Sequence, residues 1–540
     1  LPRIRPGIDK RNCFSLQFIG TLPSNNRLKH SEIDRRRNLS CYSKYYGPFC
    51  DALIELAGDE FYINVPTPEA FELVIKSWDD KPNYDFEDME CFPFAKSFLD
   101  MFYGHKCENP IASNEEVFSW MDMARSGGYL ATFFGLRTKR DTIQDPGYRA
   151  WAAEHDFIDP DIWSGVLKKE YLPKESLDRK KARVFCIPSV FLTFIQLKYG
   201  KRISNKLKNF KWSAYGFNPY SGGCDKLARA LNSKPIRLYY DVSGWDKFIP
   251  LLRNVYAFIE KAANVFSWSP QEQKEFKWMV DNTCEFVIKL YDGTVYKKTY
   301  GNGSGQGSTT RDNIFCHILI IATLLCTIYK NKHGKFPNPN YICEQIVKLF
   351  GDDCVMALDY GFEQALDQAF MADFFGKFGL KLKFLYGGVD FDIQNMQFLG
   401  FNFFKVGDNY IPRYDERRLA TTMVYDGVDH LNREAFISRL FVLTLMSYPC
   451  PNHAVFLNAA RQAAKTYSNF SDLTPTEQVL TSLILKANDN MFLNTFLGLE
   501  GSNSVVLEAI FSTGNLEAVG IKDFFPQFEE CLKSLPDVEW

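Results

Sequence analysis

The chain of 540 residues is too long for one compact core, and its length suggests about three domain-sized units. With 46% hydrophobic and 24% charged residues it is neither disordered nor fibrous, and a net charge of −2 announces no nucleic-acid partner by bulk charge. That average hides a segregation: residues 1–50 hold ten Lys/Arg against three acids, 51–123 four against seventeen, and 168–212 thirteen against three. One face can therefore carry a positive field while the whole stays near neutral. Fourteen cysteines without a CxxC spacing, and only seven histidines, argue against structural zinc and for thiols serving as small buried hydrophobes in a reducing compartment. The N-terminus is polar, so no signal peptide is expected, and Leu1 in place of Met fits release from a precursor.

In chain order, the first fifty residues read as irregular strand and loop, and 66–103 as helical pieces in an acidic, aromatic background. The apolar stretch Val184–Tyr199 predicts a helix that stops at Gly200. A strand at Ile236–Asp241 leads to helices over roughly Ile249–Ala262 and Pro270–Asn282. The segments Glu285–Tyr291 and Thr294–Tyr300 flank Asp292-Gly293 as a hairpin. A glycine-rich loop, Gly301–Gly307, then opens an apolar helix. Its longest apolar run, Ile314–Tyr329, contains His317 and is short for a bilayer span, so it reads as a buried helix rather than a membrane anchor. Residues Tyr341–Phe350 and Cys354–Leu358 read as strands around the turn Gly351-Asp352-Asp353, and 361–379 as an amphipathic helix ending at Gly379. Further strands are expected at Lys381–Tyr386 and Gln397–Phe404, and a helical pattern beyond about Tyr414. This order predicts a soluble α+β protein with an α-rich C-terminal part.

The carboxylates carry the chemistry. Asp241 ends a hydrophobic strand, and Asp352 and Asp353 sit in the turn between two others. If those strands are neighbours, three carboxylates converge at one end of a sheet, which is costly unless cations neutralise them. A hard divalent ion such as Mg²⁺ suits that donor set.

Three motifs extend this reading. Asp241-Val-Ser-Gly-Trp-Asp246 has D-x4-D spacing, Ser304-Gly305-Gln-Gly-Ser-Thr309-Thr-Arg-Asp-Asn313 reads SGxxxTxxxN without a gap, and Asp352 of Phe-Gly-Asp-Asp lies 48 residues after Ser304. Together and in this order they resemble motifs A, B and C of the RNA-dependent RNA polymerases of positive-strand RNA viruses, in the picornavirus-like group. The string from Gly301 to Asn313 is most similar to astrovirus and potyvirus polymerases. The resemblance covers about residues 125–405 and implies a right-hand polymerase encircled by N-terminal fingertips. Fingers would occupy 1–189 and 283–303, an antiparallel-sheet palm 190–282 and 304–402, and an α-rich thumb 403–540.

The resemblance also assigns roles. Asp241, Asp352 and Asp353 would bind two Mg²⁺, with Mn²⁺ able to substitute, for attack of an RNA 3′-hydroxyl on an NTP. Asp246 and Asn313 would recognise the ribose 2′-hydroxyl, oriented by Ser304 or Thr309. The basic segment with Lys168, Lys181 and Arg183 is similar to motif F and would grip the NTP phosphates. Ser126 and Gly127, with Gly305, would touch the template. Phe378-Gly379-Leu380 resembles the turn of motif D, which offers Lys381 or Lys383 as general acid. The position where the family carries that lysine is occupied here by Gly387 or Gly388. Phe398-Leu-Gly-Phe401 is similar to motif E, the primer-gripping hairpin. The implied partners are template RNA, primer or product RNA and NTPs, with a protein primer and other viral replication proteins as further expectations. The implied location is the host cytoplasm, at membrane-associated replication complexes. Two other readings compete: a reverse transcriptase, against which Asp246 and Asn313 speak, and a catalytically silent RNA-binding replication scaffold, which would gain nothing from clustered acids.

Overall fold

The computed structural model describes residues 4–7, 16–23, 35–65, 67–79, 82, 84–103, 110–178, 182–425 and 433–499. A four-stranded antiparallel sheet holds the strands in the order Ile346–Phe350, Asp353–Leu358, Ile236–Ser243, Lys381–Val389. Period-two alternation explains its two faces. Ile236, Leu238, Tyr240 and Val242 are buried, which turns Arg237, Tyr239 and Asp241 to the opposite side.

The helix Thr309–His333 runs behind the buried face. Its most apolar window has a mean hydropathy of 1.7, yet 89% of that window is buried inside the protein, as expected of a core helix. Helices Phe92–Tyr103 and Leu252–Ala262 pack against it. It ends at Gly334, whose φ of 69° caps the helix in the left-handed region.

A five-stranded sheet lies beside this core in the order Gln17–Thr21, Thr294–Lys298, Phe286–Lys289, Ile162–Leu167, Val184–Ile187. Only Ile162–Leu167 and Phe286–Lys289 run parallel within it. The expected hairpin around Asp292-Gly293 is present, with Gly293 at φ 89° and the Asp292 carboxylate accepting the Thr294 N–H.

The C-terminal helices Glu416–Val424, Arg433–Met446, His453–Ser468, Pro475–Lys486 and Asp489–Leu497 build a second core, which also takes in Tyr46, Leu53 and Ala57 from the N-terminal region. Arg37 lies 4.2 Å over the Tyr425 ring, Tyr42 stacks on Phe436 at 4.0 Å, and the Tyr46 hydroxyl donates to the Met423 carbonyl at 2.9 Å. Segments more than 370 residues apart in sequence are thus one packed unit.

Several expected boundaries shift, and the strand expected over Gln397–Phe404 is the hairpin Gln397–Phe398 and Phe401–Val406. Gly200 does not stop a helix: Val184–Ile187 is a strand, Ser189 caps a new helix, and that helix runs from Val190 through Gly200 to Lys206. The glycine serves close packing there, since a Cβ would meet Arg311 Nη1 at 2.2 Å. The single helix expected over 361–379 is a 3₁₀ turn at Glu363–Leu366 followed by Gln368–Lys377, because the Asp367 side chain caps the second helix by accepting from the Ala369 and Phe370 N–H groups. The strand expected over Tyr341–Phe350 begins only at Ile346, after a short helix Pro339–Cys343 with proline at its first turn.

Candidate active site

Strand register brings the acidic residues together. Cys354 pairs with Tyr240, so one step further along the two antiparallel strands places Asp353 beside Asp241. Phe350 pairs with Asp353, which leaves Gly351 and Asp352 as a two-residue turn. Gly351 takes φ 65° there, a conformation that favours glycine in such turns. On the other flank, Phe384 pairs with Asp241 across a register shift between Leu382 and Phe384. A bulge of this kind re-aims the extra side chain, and Lys383 Nζ reaches Asp241 Oδ2 at 2.5 Å. Lys381, opposite Ser243 and exposed, lies one step outside this contact. Gly387 could not carry a lysine, because a Cβ would lie 2.5 Å from the Arg237 carbonyl oxygen.

The carboxylates repel one another. Loss of hydration within the protein and the charges of Asp352 and Asp241 push Asp353 up to about 7. Desolvation and Asp241 also raise Asp352, against the opposing pull of Arg183. As placed, no three His, Cys, Asp or Glu side chains among the described residues form a group disposed to hold a metal ion. Lys383 supplies the counter-charge to Asp241.

Asp246 lies just past the same strand, in the single helical turn Trp245–Phe248, where the field of Asp352 reaches it. Its carboxylate accepts from Asn313 Nδ2 at 2.8 Å, and Asn313 in turn accepts from Asn302 Nδ2 at 2.9 Å. Gln306 donates to Asn302, and Gln196 donates to both Gln306 and Thr283, so the chain of amides is continuous. Desolvation is the main cause that lifts Asp246 to about 6; the Asn313 bond opposes it, and the field of Asp352 adds to it. The hydroxyls of Ser304 and Thr309 serve the glycine loop. The Ser304 hydroxyl donates to the Val184 carbonyl, and the Thr309 hydroxyl donates to the carbonyls of Gly303 and Gln306. Gly305, at φ 119°, presses against Phe185 and the Cys186 carbonyl, where a Cβ would come within 2.7 Å.

The basic residues come from a neighbouring strand pair. The Lys168 N–H donates to the Arg183 carbonyl at 2.9 Å, and both side chains share Glu170. Both fields act on Asp246, and that of Arg183 also acts on Asp352, so the two cations face the acidic cluster. Lys181 lies outside the described residues. Ser126 and Gly127 belong to a packed turn: the Ser126 hydroxyl accepts the Gly128 N–H, and a Cβ at Gly127 would sit 2.5 Å from the Ala131 Cβ.

Some residues at the site carried no signal strong enough to single them out in the sequence. Asn302 and Gln306 are ordinary members of a glycine-rich loop until the fold stacks them under Asn313. Lys298 alternates correctly for an exposed strand position, yet it is buried, with Nζ donating to the carbonyls of Lys247 and Tyr300 at 2.7 and 2.5 Å. Its burial lowers it to about 7. These bonds tie the hairpin to the turn that bears Asp246.

Known proteins share this arrangement of sequence. The profile of the viral RNA-dependent RNA polymerase family matches residues 133–475. The genome polyprotein of Plum pox potyvirus (strain Rankovic) is 30% identical over 336 residues, covering 59% of this chain and 10% of the polyprotein. The non-structural polyprotein 1AB of Turkey astrovirus 2 is 24% identical over 212 residues, covering 37% of this chain and 13% of that polyprotein. The chain thus spans about a tenth of the length of these relatives. The family match takes in the acidic turn, the glycine loop, the Asp246–Asn313 pair and the basic strands alike, and the chain belongs to the viral RNA-dependent RNA polymerases.

Proposed function

We propose that this chain extends an RNA 3′ end on an RNA template, joining it to the α-phosphate of an NTP and releasing pyrophosphate. The observation that carries the reading is the meeting of Asp241 and Asp353 on adjacent strands, with Asp352 in the turn beside them. Members of the family work with divalent metal ions, and the chemistry of these three side chains suits one: they offer only hard oxygen donors, and their mutual repulsion is what a cation relieves. Bound Mg²⁺, with Mn²⁺ as a substitute, would activate the 3′-hydroxyl and neutralise the leaving pyrophosphate. Asp246 and Asn313 accept from and donate to the ribose 2′-hydroxyl, a group with both capacities. Arg183 and Lys168 hold the triphosphate against the acidic turn. Lys383 is better placed than Lys381 to give the leaving pyrophosphate its proton, because the bulge aims it at Asp241.

In this reading the central sheet and its helices, 190–282 and 304–402, form the palm. Residues 1–189 and 283–303 form fingers, and 403–540 the thumb. The packing of 37–57 into the C-terminal core supports a closed ring around the active site. A protein primer, other replication proteins and a membrane-associated site in the host cytoplasm complete the proposal. The test is synthesis on poly(C) or poly(U) with Mn²⁺, with and without primer. Asp352→Ala and Asp241→Ala should abolish product while the circular dichroism stays that of the parent. Incorporation by either variant at the parent's rate would refute the assignment, and a preference for dNTP over NTP would refute the ribose reading.

A further inference from the structure

The helix Thr309–His333 is apolar through its middle, and His317 interrupts it one turn after Asn313, on the same face. The imidazole is fully buried. Its Nδ1 lies 3.0 Å from the Gly351 carbonyl oxygen, which can only accept, so Nδ1 carries the proton and donates it. Nε2 is then the acceptor and takes the Tyr240 hydroxyl at 2.6 Å. The ring also leans on Trp245 at 4.4 Å between centroids. Tyr240, Gly351 and Trp245 are the residues immediately before Asp241, Asp352 and Asp246.

We propose that His317 is a positioning residue for the polymerase site: one neutral imidazole fixes the three acid-bearing segments relative to one another and to Asn313. The inference rests on the proposed function above. The geometry fits that role because each contact falls on the backbone or aromatic side chain next to an acid and none on a carboxylate itself. Burial keeps the ring neutral, which preserves the donor at Nδ1 and the acceptor at Nε2 that the two contacts require.

The test compares His317→Leu, His317→Asn and Tyr240→Phe with the parent in two measurements. Binding of Mn²⁺ is read from the spin-resonance signal of the free ion, and elongation is read as kcat and KM for NTP on a primed template. Outer partners of metal ligands are usually worth about 10- to 100-fold in affinity or activity. His317→Leu should therefore weaken Mn²⁺ binding and lower kcat by about 10-fold or more, with KM for NTP and RNA affinity within about threefold of the parent. His317→Asn keeps a donor toward Gly351 and should recover part of both losses, and Tyr240→Phe should fall between. Parent-like Mn²⁺ binding and kcat in folded His317→Leu would overturn the proposal. So would equal losses for Leu and Asn, which mark a merely structural role. If His317→Leu does not fold, Tyr240→Phe and His317→Asn decide by the same criteria. Lack of synthesis by the parent chain would count against the polymerase reading alone, and Mn²⁺ binding would still decide the role of His317.

Discussion

Two polar regions neighbour each other, linked by the field of Asp352 on Asp246, and they are built on opposite principles. At the end of the central sheet, desolvation and neighbouring acids raise Asp352 and Asp353, with Arg183 opposing at Asp352, and Lys383 pairs with Asp241. In the glycine-loop region, Asp246, Asn313, Asn302, Gln306 and Gln196 satisfy one another in an unbroken chain. The first region is electrostatically unfinished and gains from a cation in solution. The second is finished, and a fully bonded buried network is rigid. Under the proposed function, a nucleotide's phosphates would meet the unfinished side and its sugar the rigid one.

Charge removal breaks the comparison most sharply. Asp352→Asn or Asp353→Asn removes a repelling charge from the sheet end, so the melting temperature without added metal should equal or exceed the parent's. Synthesis should nevertheless fall by about 10³-fold, because the site loses an anionic donor for the cation. Calorimetry paired with a primed elongation assay checks both halves. A joint loss of stability and activity would show that the acids serve the fold.

The rigid side should respond in the reverse manner. Asn313→Ala removes the donor to the Asp246 carboxylate and one acceptor of the Asn302 amide, and losing such a partner costs about 1–3 kcal/mol. The variant should melt lower, and its preference for NTP over dNTP should shrink by about 10- to 100-fold, as expected when one hydrogen bond to the 2′-hydroxyl goes. Competition between ATP and dATP on a poly(U) template reads the discrimination directly.

A smaller effect tests how the core behind both regions is packed. Gly200→Ala would drive a methyl into the Arg311 guanidinium, which is bonded to Asp312 at 2.8 Å and to Tyr256 at 3.0 Å. Overpacking of this kind costs about 1–3 kcal/mol, and denaturant unfolding should register it without a change in nucleotide preference.

The asymmetry between the regions also governs what was legible in the sequence. Asp352 and Asp353 were readable because the turn that bears them is only two residues long; their meeting with Asp241 was conditional on the two strands being neighbours, which the pairing of Cys354 with Tyr240 supplies. Asp246 and Asn313 were readable through the resemblance, since 67 positions separate them. Their supports were not. Gln306, His317 and Lys298 act through contacts with elements distant in sequence, Asn302 through the folding of its own loop onto the helix, and a buried amide or lysine looks in the sequence like a surface one. Gly200 misled for a related reason: glycine at a helix end and glycine under a neighbouring guanidinium leave the same letter. The bulge that aims Lys383 leaves no letter at all.

Lys298 provides the finest test, because it ties the hairpin to the rigid side by two backbone carbonyls. Burial lowers it to about 7, from an ordinary value of 10.5. Below about pH 7 the folded protein holds a buried ammonium, a cost the unfolded chain does not bear. Between about 7 and 10.5 the folded lysine is neutral while the unfolded one still binds its proton. The unfolded state therefore binds more protons across that window, and this group's contribution to stability rises with pH through it. The neutral amine keeps two N–H donors for its two carbonyls, so nothing is lost on deprotonation. Lys298→Met removes both bonds and the titration together. The parent's advantage over the variant should be small near pH 6.5 and grow toward pH 9, a trend that melting curves across that range would reveal. A constant gap would mean that the buried amine stays charged, with the hairpin held to the Asp246 turn by an ammonium rather than by a neutral donor.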